Sequence, residues 1–414
     1  MLSLVDSLTD QEVKAEETKQ GRIEFSFPIL IIRTRMFSGV FDRLGSLHAS
    51  RLISWIALII VPIVAAIGLY LICNTLFTLL WIPAARDITR ELSPAAYILL
   101  PGINPFLPIF YGLLAIVCAM VVHEGAHGIV ARNRGLNVKS SGILFFLIIP
   151  FGAFVDVDEE QLKKVKSKDS LRVMAAGVAG NIVVALVCIL TVLIIVNGLT
   201  PIVEGVYIFD VTEGMPAETA GLLPNDVFVS IDNVQIDSYV TLNTIFASKN
   251  PGDTVQVTVE RGENGEKRFS TNVTLIESGT RAVIGISIGN FEERLALYKT
   301  LSLETLTIYM VPPSLYPGLV PFSDSLIPFY THPLGSQWHV YANIFFWIWF
   351  INVNIAVFNA FPIYPLDGGR MFNISLKSIL GQRVTEKTIY RITYCVTAIL
   401  VSVLVMIVVI PFIM

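Results

Sequence analysis

Long apolar runs, with the polar residues collected between them, are the dominant pattern in this protein. Four stretches contain no Asp, Glu, Lys or Arg, namely residues 52–80, 173–199, 340–365 and 392–414. A fifth stretch, residues 108–131, contains one charged residue, Glu124. Each run is longer than the roughly 20 apolar residues that a helix needs to cross the hydrocarbon core of a bilayer. The pattern predicts an α-helical polytopic membrane protein with about five or six transmembrane helices.

Residues 203–290 show a different pattern. Short β-rich stretches at 255–259 and 283–287 alternate with turns rich in Pro, Gly and Asp, such as 251–253. The segment contains 12 acidic and 5 basic residues, a local charge of −7, which leaves +3 for the rest of the protein. It is long enough to build a small core of its own. We therefore predict a soluble α/β module inserted between membrane segments.

The remaining boundaries follow the same alternation of apolar and polar stretches. We predict a cytoplasmic N-terminal segment at 1–51, a first transmembrane helix at 52–80, a membrane core at 105–200, the module at 203–290, an interfacial or re-entrant segment at 291–339, a core helix at 340–370, and a cytoplasmic loop with the last transmembrane helix at 371–414. Residues 144–157 are apolar, contain Pro150 and Gly152, and end in alternating residues. This stretch predicts a membrane-embedded β-hairpin.

Composition and charge narrow the class of protein. Only 15% of the 414 residues are charged, 54% are hydrophobic, and the mean hydropathy is +0.67. Soluble proteins carry about 25% charged residues, so a disordered protein or a nucleic-acid partner is poorly supported. Basic residues gather beside the apolar runs, for example Lys166, Lys168 and Arg172 before residue 173. The positive-inside rule then predicts a multi-pass protein of the cell membrane, with a cytoplasmic N-terminus and an extracytoplasmic module.

An HExxH motif at residues 123–127 lies within the second apolar run. In a helix, residues four apart lie on one face, about 6 Å apart along the axis. His123 and His127 can therefore present two imidazoles to one tetrahedral zinc ion, and Glu124 can accept a proton from water there. A chance occurrence, or a polar patch packed against a neighbouring helix, would give the same HExxH motif. An ionisable residue inside a span is costly, which favours the metal site.

Two histidines leave a third protein ligand to be found. The candidates are Asp156, Asp158, Glu159, Glu160, His332, His339 and Asp367. Asp367 follows a long uncharged stretch, and its span ends level with the histidine span in the predicted topology. Prolines break the helix there, and Gly368 and Gly369 allow close backbone approach. These features favour Asp367, although an Asp at a membrane exit is also a common helix cap.

The two separated motifs carry a family resemblance. An HExxH span followed by Asn359-x-x-Pro-x-x-Pro-Leu-Asp367-Gly resembles the site-2 protease family of intramembrane zinc metalloproteases. The resemblance implies that His123, His127 and Asp367 hold one Zn²⁺ per protein molecule, that Glu124 is the general base, and that Asn359 stabilises the reacting carbonyl or its oxyanion. The stretches Arg33-Thr34-Arg35 and Asp42-Arg43, before the first span, resemble archaeal members.

Two further stretches also resemble this family. Residues 176–181 are similar to the small-residue and Asn motif of its middle core helix. The small residues independently predict close helix packing at Gly177 and Gly180, and Asn181 is either an interhelical hydrogen-bonding residue or a substrate-binding residue. The inserted module resembles a PDZ domain. By that resemblance its peptide-carboxylate loop comprises Gly205, Val206, Tyr207 and Ile208, and its partner is a peptide C-terminus.

These observations predict a zinc-dependent endopeptidase that cleaves transmembrane segments of membrane-anchored proteins, as in regulated intramembrane proteolysis. The hairpin edge, with Gly152 and Phe154, would pair with an unwound substrate segment, because peptide bonds inside a helix are shielded. One alternative is a membrane-anchored zinc protease of the other HExxH kind, which needs a Glu ligand on a following helix. The other is a non-enzymatic PDZ-bearing membrane scaffold or transporter, which needs no metal.

Overall fold

The computed structural model describes residues 23–34, 37–147, 149–203, 205–262, 267–279, 281–315, 318–381 and 383–414. The protein forms two compact units. The first comprises Met1–Pro105, Ile109–Leu186 and Ile348–Met414, and the second comprises Phe106–Pro108 and Val187–Trp347. The second unit contains the predicted module together with the segments on either side of it.

The elements of the first half of the sequence belong mostly to the first unit. In order they are β1 (Ile23–Ser26), β2 (Ile29–Thr34), α1 (Ser38–Ser46), α2 (His48–Trp81), α3 (Pro83–Glu91), α4 (Ile109–Asn133), β3 (Val138–Phe146), β4 (Ile149–Val157), α5 (Glu159–Lys164) and α6 (Ser167–Asn197). A 3-10 turn, Pro94–Tyr97, precedes α4.

The remaining elements begin with those of the second unit. They are β5 (Thr200–Pro201), β6 (Val206–Val211), α7 (Pro216–Thr219), β7 (Val227–Ile231), β8 (Val234–Gln235), α8 (Tyr239–Ala247), β9 (Thr254–Arg261), β10 (Lys267–Thr274), β11 (Ile276–Ser278), β12 (Arg281–Val283), β13 (Ile286–Asn290), α9 (Phe291–Lys299), α10 (Leu303–Tyr309), β14 (Tyr330–Thr331), α11 (Trp338–Ala360), α12 (Asp367–Leu380) and α13 (Glu386–Ile413).

Within the described residues, five helices are long and apolar enough to cross a membrane: α2, α4, α6, α11 and α13. Each covers most of one of the five apolar runs, so the prediction of helical spans is confirmed. A helix satisfies every backbone donor and acceptor within the segment, which a bilayer requires. Large apolar side chains on α2 remain exposed, such as Ile59 at 64% and Leu71 at 54%, as expected of a surface that faces lipid.

A four-stranded antiparallel sheet lies beside α4, with strand order β1-β2-β3-β4. The predicted hairpin is present as β3 and β4, although its first strand begins at Val138 rather than at residue 144. Strands β1 and β2 were not expected within the N-terminal segment. Thr34 pairs with Ser141 and Ile29 with Phe146, so β2 covers the outer edge of β3. Residues 1–22 of that segment lie outside the described residues.

The inserted module is an antiparallel sheet with strand order β10-β9-β7-β6-β13, with β8 paired to β7 and two short helices, α7 and α8. Its core is built from fully buried apolar residues such as Val206, Ile208 and Val257. An ion pair with a fully buried carboxylate joins the end of β9 to the residue before β7. Arg261 donates from Nε to Oδ1 and from Nη2 to Oδ2 of Asp226, each at 2.7 Å, and Asp226 is fully buried. This bidentate pairing compensates the cost of burying the carboxylate.

Residues 291–339, predicted as an interfacial or re-entrant segment, fold within the second unit around buried aromatic rings. Phe291 stacks on Tyr207 with ring centroids 4.3 Å apart and also contacts Phe329. Tyr309 donates its hydroxyl to the carbonyl of Tyr298 at 3.0 Å. Burial raises the pKa of Tyr207 to about 12, so its hydroxyl stays protonated and donates to the carbonyl of Gly318. Whether the segment touches a membrane stays a prediction.

We expect Arg261→Met to lower the free energy of unfolding of the module by about 3 kcal/mol, because it leaves the Asp226 carboxylate buried without its cation. Arg268→Met is the matched control. Arg268 is 70% exposed and pairs with Glu260 on the neighbouring strand, so its removal is expected to cost less than about 1 kcal/mol. Thermal unfolding and limited proteolysis of the full-length protein measure both. Equal effects of the two variants would contradict the role given to the buried pair.

Candidate metal centre

Three ligand atoms converge where α4 meets the start of α12. Nε2 of His123 lies 3.3 Å from Nε2 of His127, and Oδ2 of Asp367 lies 3.0 Å from the first and 3.1 Å from the second. His123 and His127 are 8% and 7% exposed. Within the described residues these three form a cluster of potential metal ligands. The candidates that the two motifs favoured are therefore brought together by the fold.

The cluster fits a zinc ion. A tetrahedral zinc site with ligand distances near 2.0–2.1 Å separates its ligand atoms by about 3.3 Å, close to the separations found here. Two imidazoles and one carboxylate are a donor set that catalytic zinc sites use, with the fourth position left open. Burial raises the pKa of Asp367, but the neighbouring His127 and His123 imidazoles outweigh it and hold that pKa well below its usual range.

Helix α6 fixes the orientation of the histidine ligands. Nδ1 of His127 lies 2.7 Å from the carbonyl of Val173, to which it can only donate, so Nε2 is the ring nitrogen free to bind a metal. Gly177 lies on the same helix, one turn further on. A Cβ at this position would lie 2.5 Å from Nε2 of His127 and 2.6 Å from Nε2 of His123. The close packing predicted for Gly177 is thus packing against the ligands themselves.

A tight turn between α11 and α12 places Asp367. A Cβ on Gly368 would lie 2.2 Å from the carbonyl oxygen of Ala360, and a Cβ on Gly369 would lie 2.4 Å from the backbone of Ile363. Both positions therefore require glycine, since real Cβ atoms do not approach backbone so closely. The amide of Tyr364 within the turn donates to Oγ1 of Thr397 on α13 at 2.9 Å. The backbone thus returns on itself and aims Asp367 at α4.

Glu124 lies beside the first histidine and contacts the edge of the sheet. Its Oε2 accepts a hydrogen bond from the backbone amide of Val155 on β4 at 3.0 Å. Among the described strands, β4 pairs only with β3. The Val155 amide therefore points away from β3 and toward the free edge. In an antiparallel pair the direction alternates, so the amide and carbonyl of Ala153 also point to that edge.

The other predicted site residues lie nearby in sequence but differ in their contacts. The amide of Asn359 donates to the carbonyl of Ile355 at 3.1 Å, and no other hydrogen bond of this side chain is found among the described residues. Asn181 is fully buried on α6, and both polar atoms of its amide lack a partner there. Gly152 and Phe154 are on β4, where Arg33 lies 5.0 Å above the ring of Phe154.

The alternative third ligands have other roles. Asp158 caps α5 by accepting from the amides of Glu160 and Gln161, each at 3.0 Å. Glu159 and Glu160 are exposed and lie near lysines one turn away. In the second unit, Nε2 of His332 lies 2.9 Å from the carbonyl of Ile195, and His339 contacts the ring of Trp338. None of them belongs to the three-residue cluster within the described part of the protein.

The module has a groove at another strand from the peptide-carboxylate loop that we expected. A groove of about 880 Å³ runs between α8 and residues 282–288, and is lined by Leu242, Phe246 and Ile284 among others. The expected loop, Gly205–Ile208, does not line it. Val206, Tyr207 and Ile208 are buried in β6, which pairs with β7 on one side and β13 on the other. A strand flanked on both sides cannot accept a peptide, whereas the edge strand β13 can.

Two contacts of the candidate metal centre were not expected from the sequence. The carbonyl of Val173 and the amide of Val155 are backbone groups, so no side-chain pattern reports them. The signal that existed was indirect. Residues 176–180 are small, which indicates close helix packing, and residues 153–157 alternate, which indicates a strand beside the HExxH helix.

The sequence also matches known proteins. It is 24% identical over 380 residues to an uncharacterized protein of Methanocaldococcus jannaschii, covering 88% of this protein and 86% of that one. It is 27% identical to a putative zinc metalloprotease of Clostridium perfringens, covering 68% of this protein and 91% of that one. A membrane-bound transcription factor site-2 protease homolog of Arabidopsis thaliana is 26% identical, covering 50% of this protein and 42% of that one.

A solved PDZ domain of an SdrC-like protein from Listeria monocytogenes aligns with 23% identity and a TM-score of 0.20, covering 23% of this protein and 97% of that domain. The model of peptidase family M50 matches residues 111–403, which is most of the sequence and includes His123, His127 and Asp367. The protein belongs to peptidase family M50, the site-2 protease family of membrane metallopeptidases.

Proposed function

We propose that the protein is a zinc-dependent intramembrane endopeptidase that cleaves transmembrane segments of membrane-anchored proteins. The observation that carries this proposal is the convergence of His123, His127 and Asp367 within 3.3 Å of one another, with two of them on an apolar span. The relatives named as zinc metalloproteases support zinc as the metal. In the proposed orientation the N-terminus is cytoplasmic, the module is extracytoplasmic and the membrane is the cell membrane.

In the proposed chemistry, Glu124 accepts a proton from the water that attacks the peptide bond. A zinc ion held by His123, His127 and Asp367 would supply a Lewis acid for the peptide carbonyl and for water. Glu124 is adjacent to a ligand and partly buried, so its carboxylate can take the proton from that water and pass it to the leaving amine. The hydrogen bond from the Val155 amide holds the carboxylate in place between the cluster and β4.

We propose that the free edge of β4 holds the substrate. A transmembrane helix shields its peptide bonds, so the segment to be cut must first unwind. An unwound segment can replace its lost hydrogen bonds by adding a strand to a sheet edge. The outward amide and carbonyl of Ala153 and the outward carbonyl of Val155 supply that edge next to Glu124, which fixes the register of a bound strand relative to the cluster.

The two asparagines are proposed to bind the reacting peptide group. Asn181 is on the ligand-facing helix one turn beyond Gly177, and its buried amide has no internal partner among the described residues. A buried amide without a hydrogen bond is costly, so a substrate carbonyl or amide would gain by binding there. Asn359 ends the helix that precedes Asp367, and the resemblance assigns it to the developing oxyanion.

The module is proposed to bind an extended peptide, such as the C-terminus of another protein. The apolar groove between α8 and β13 has the two parts that strand addition needs, an unpaired strand edge and pockets for side chains.

The metal and base assignments are tested by Glu124→Gln and Asp367→Ala in the full-length protein. We expect Glu124→Gln to keep its zinc but to lose activity by about 10²–10⁴-fold, because it cannot accept a proton. Asp367→Ala is expected to lose zinc. Metal analysis and cleavage of a model single-span substrate measure the two effects. Glu159→Gln, an exposed acid outside the cluster, is the control and should match wild type. Full cleavage by Glu124→Gln would overturn the mechanism.

Gly177→Ala is expected to lower zinc content and to reduce cleavage by at least about tenfold, because the added methyl group would displace both imidazoles. Gly125→Ala is the matched control, since Gly125 lies within the HExxH helix and a Cβ there meets nothing within 4 Å. Metal analysis and the same cleavage assay compare them. Wild-type zinc content and activity in Gly177→Ala would refute the packing that we describe.

Ala153→Pro tests the substrate edge. Proline removes one outward amide of β4 and leaves the bonds to β3 intact, so cleavage should fall about three- to tenfold while zinc content and thermal stability stay unchanged. Ala153→Val keeps the amide and is the control. If Ala153→Pro and Ala153→Val cleave the substrate equally, strand addition at β4 is wrong.

A further inference from the structure

A basic cleft of about 560 Å³ opens on the first unit, and its lining includes none of His123, His127 and Asp367. Six of its nine lining residues are cationic: Arg51, Arg134, Lys164, Lys166, Lys168 and Arg172. The lining contains one acidic residue, Asp169. Neither the proposed catalysis nor substrate binding uses this cleft.

Three separate parts of the fold bring these cations together at the ends of membrane spans. Arg51 directly precedes the apolar run of α2, Arg172 directly precedes the apolar run of α6, and Arg134 directly follows α4. The lysines come from the end of α5 and the first residues leading into α6. The positive charges are therefore level with the boundary between apolar span and polar surface, which is where lipid phosphates lie.

The charges in the cleft are not neutralised by the described residues around it. Asp169 is shared, since its Oδ1 lies 3.3 Å from Arg134 and 3.5 Å from Arg172. Arg172 is 2% exposed and donates to Oγ of Ser54 and to the carbonyl of Arg51. Arg51 and Arg134 both repel its charge.

The accessible cations of the cleft are largely unpaired. Arg51, Lys166 and Lys168 are exposed and have no ion pair within the described part of the protein. Because like charges this close repel one another, an anion bound among them would be stabilised by several cations at once.

The apolar residues around the cleft favour a lipid over a free anion as its ligand. Trp55 lines the cleft, is 45% exposed, and lies with its ring centroid 4.5 Å from the guanidinium of Arg172. Beyond it the apolar face of α2 is open, with Leu52 at 63% and Ile56 at 43% exposed. A lipid tail can lie along this face while its headgroup enters the cleft. We propose that the cleft binds the phosphate group of an anionic phospholipid.

The test uses the purified full-length protein in detergent and native mass spectrometry with phosphatidylglycerol as the anionic probe and phosphatidylcholine as the zwitterionic one. Wild type should bind phosphatidylglycerol more tightly than phosphatidylcholine. Lys166→Gln with Lys168→Gln should weaken that binding about tenfold or more, because each lysine near an anionic surface contributes substantially. Both side chains are exposed, so thermal unfolding should not change, and it is measured alongside.

The matched control is Lys163→Gln with Lys387→Gln. It removes the same charge from two exposed lysines that lie outside the cleft and on the same predicted side of the membrane. This control should bind phosphatidylglycerol like wild type. An equal loss in both double variants would show diffuse attraction to surface charge and would overturn the site. Full displacement of phosphatidylglycerol by millimolar inorganic phosphate would show a site for free phosphate and would overturn the assignment to a lipid.

Discussion

The cost of placing charge inside a membrane is the constraint on which the rest of this structure depends. An ionisable side chain in a span must find a partner or a metal, because the bilayer offers it neither water nor counterion. His123, His127 and Asp367 contact one another and form a candidate metal site, and the remaining apolar runs are free of charge. Arg172 follows the same rule at a span end, where it is held by Ser54, Asp169 and a backbone carbonyl.

Small residues allow the close backbone packing that holds these polar side chains together. Gly177 lets α6 approach the imidazoles, Gly180 lets it approach Ala126, and Gly368 and Gly369 let the backbone fold back before α12. Each position leaves no room for a Cβ, so the backbone positions of α4, α6 and the turn are determined together. The ligands are therefore oriented by helix backbones, which move less than side chains. Such a site can keep its geometry while a substrate segment enters beside it.

The sequence alone predicted the features that depend on polar residues within long apolar runs. The five spans, the HExxH helix and Asp367 were all visible, because apolar runs leave few explanations for the polar residues inside them. Strands β1 and β2 were missed, since their pairing joins Thr34 to Ser141 across more than a hundred residues and local patterns do not report such contacts. The stretch from Ile23 to Thr34 did contain a signal in its β-branched and aromatic residues. The groove of the module was not predicted for a related reason, because strand order decides which edge stays free.

The pairing of β2 with β3 decides which edge of the β3–β4 hairpin stays open. An isolated hairpin has two edges, and either can pair with a further strand. Here residues 29–34 cover the outer edge of β3, and the second edge of the four-stranded sheet is β1. The edge of the hairpin that remains is the one that runs past Glu124. In the proposed mechanism the N-terminal strands therefore contribute fidelity rather than catalysis, because a substrate strand that joins the hairpin can do so only beside Glu124.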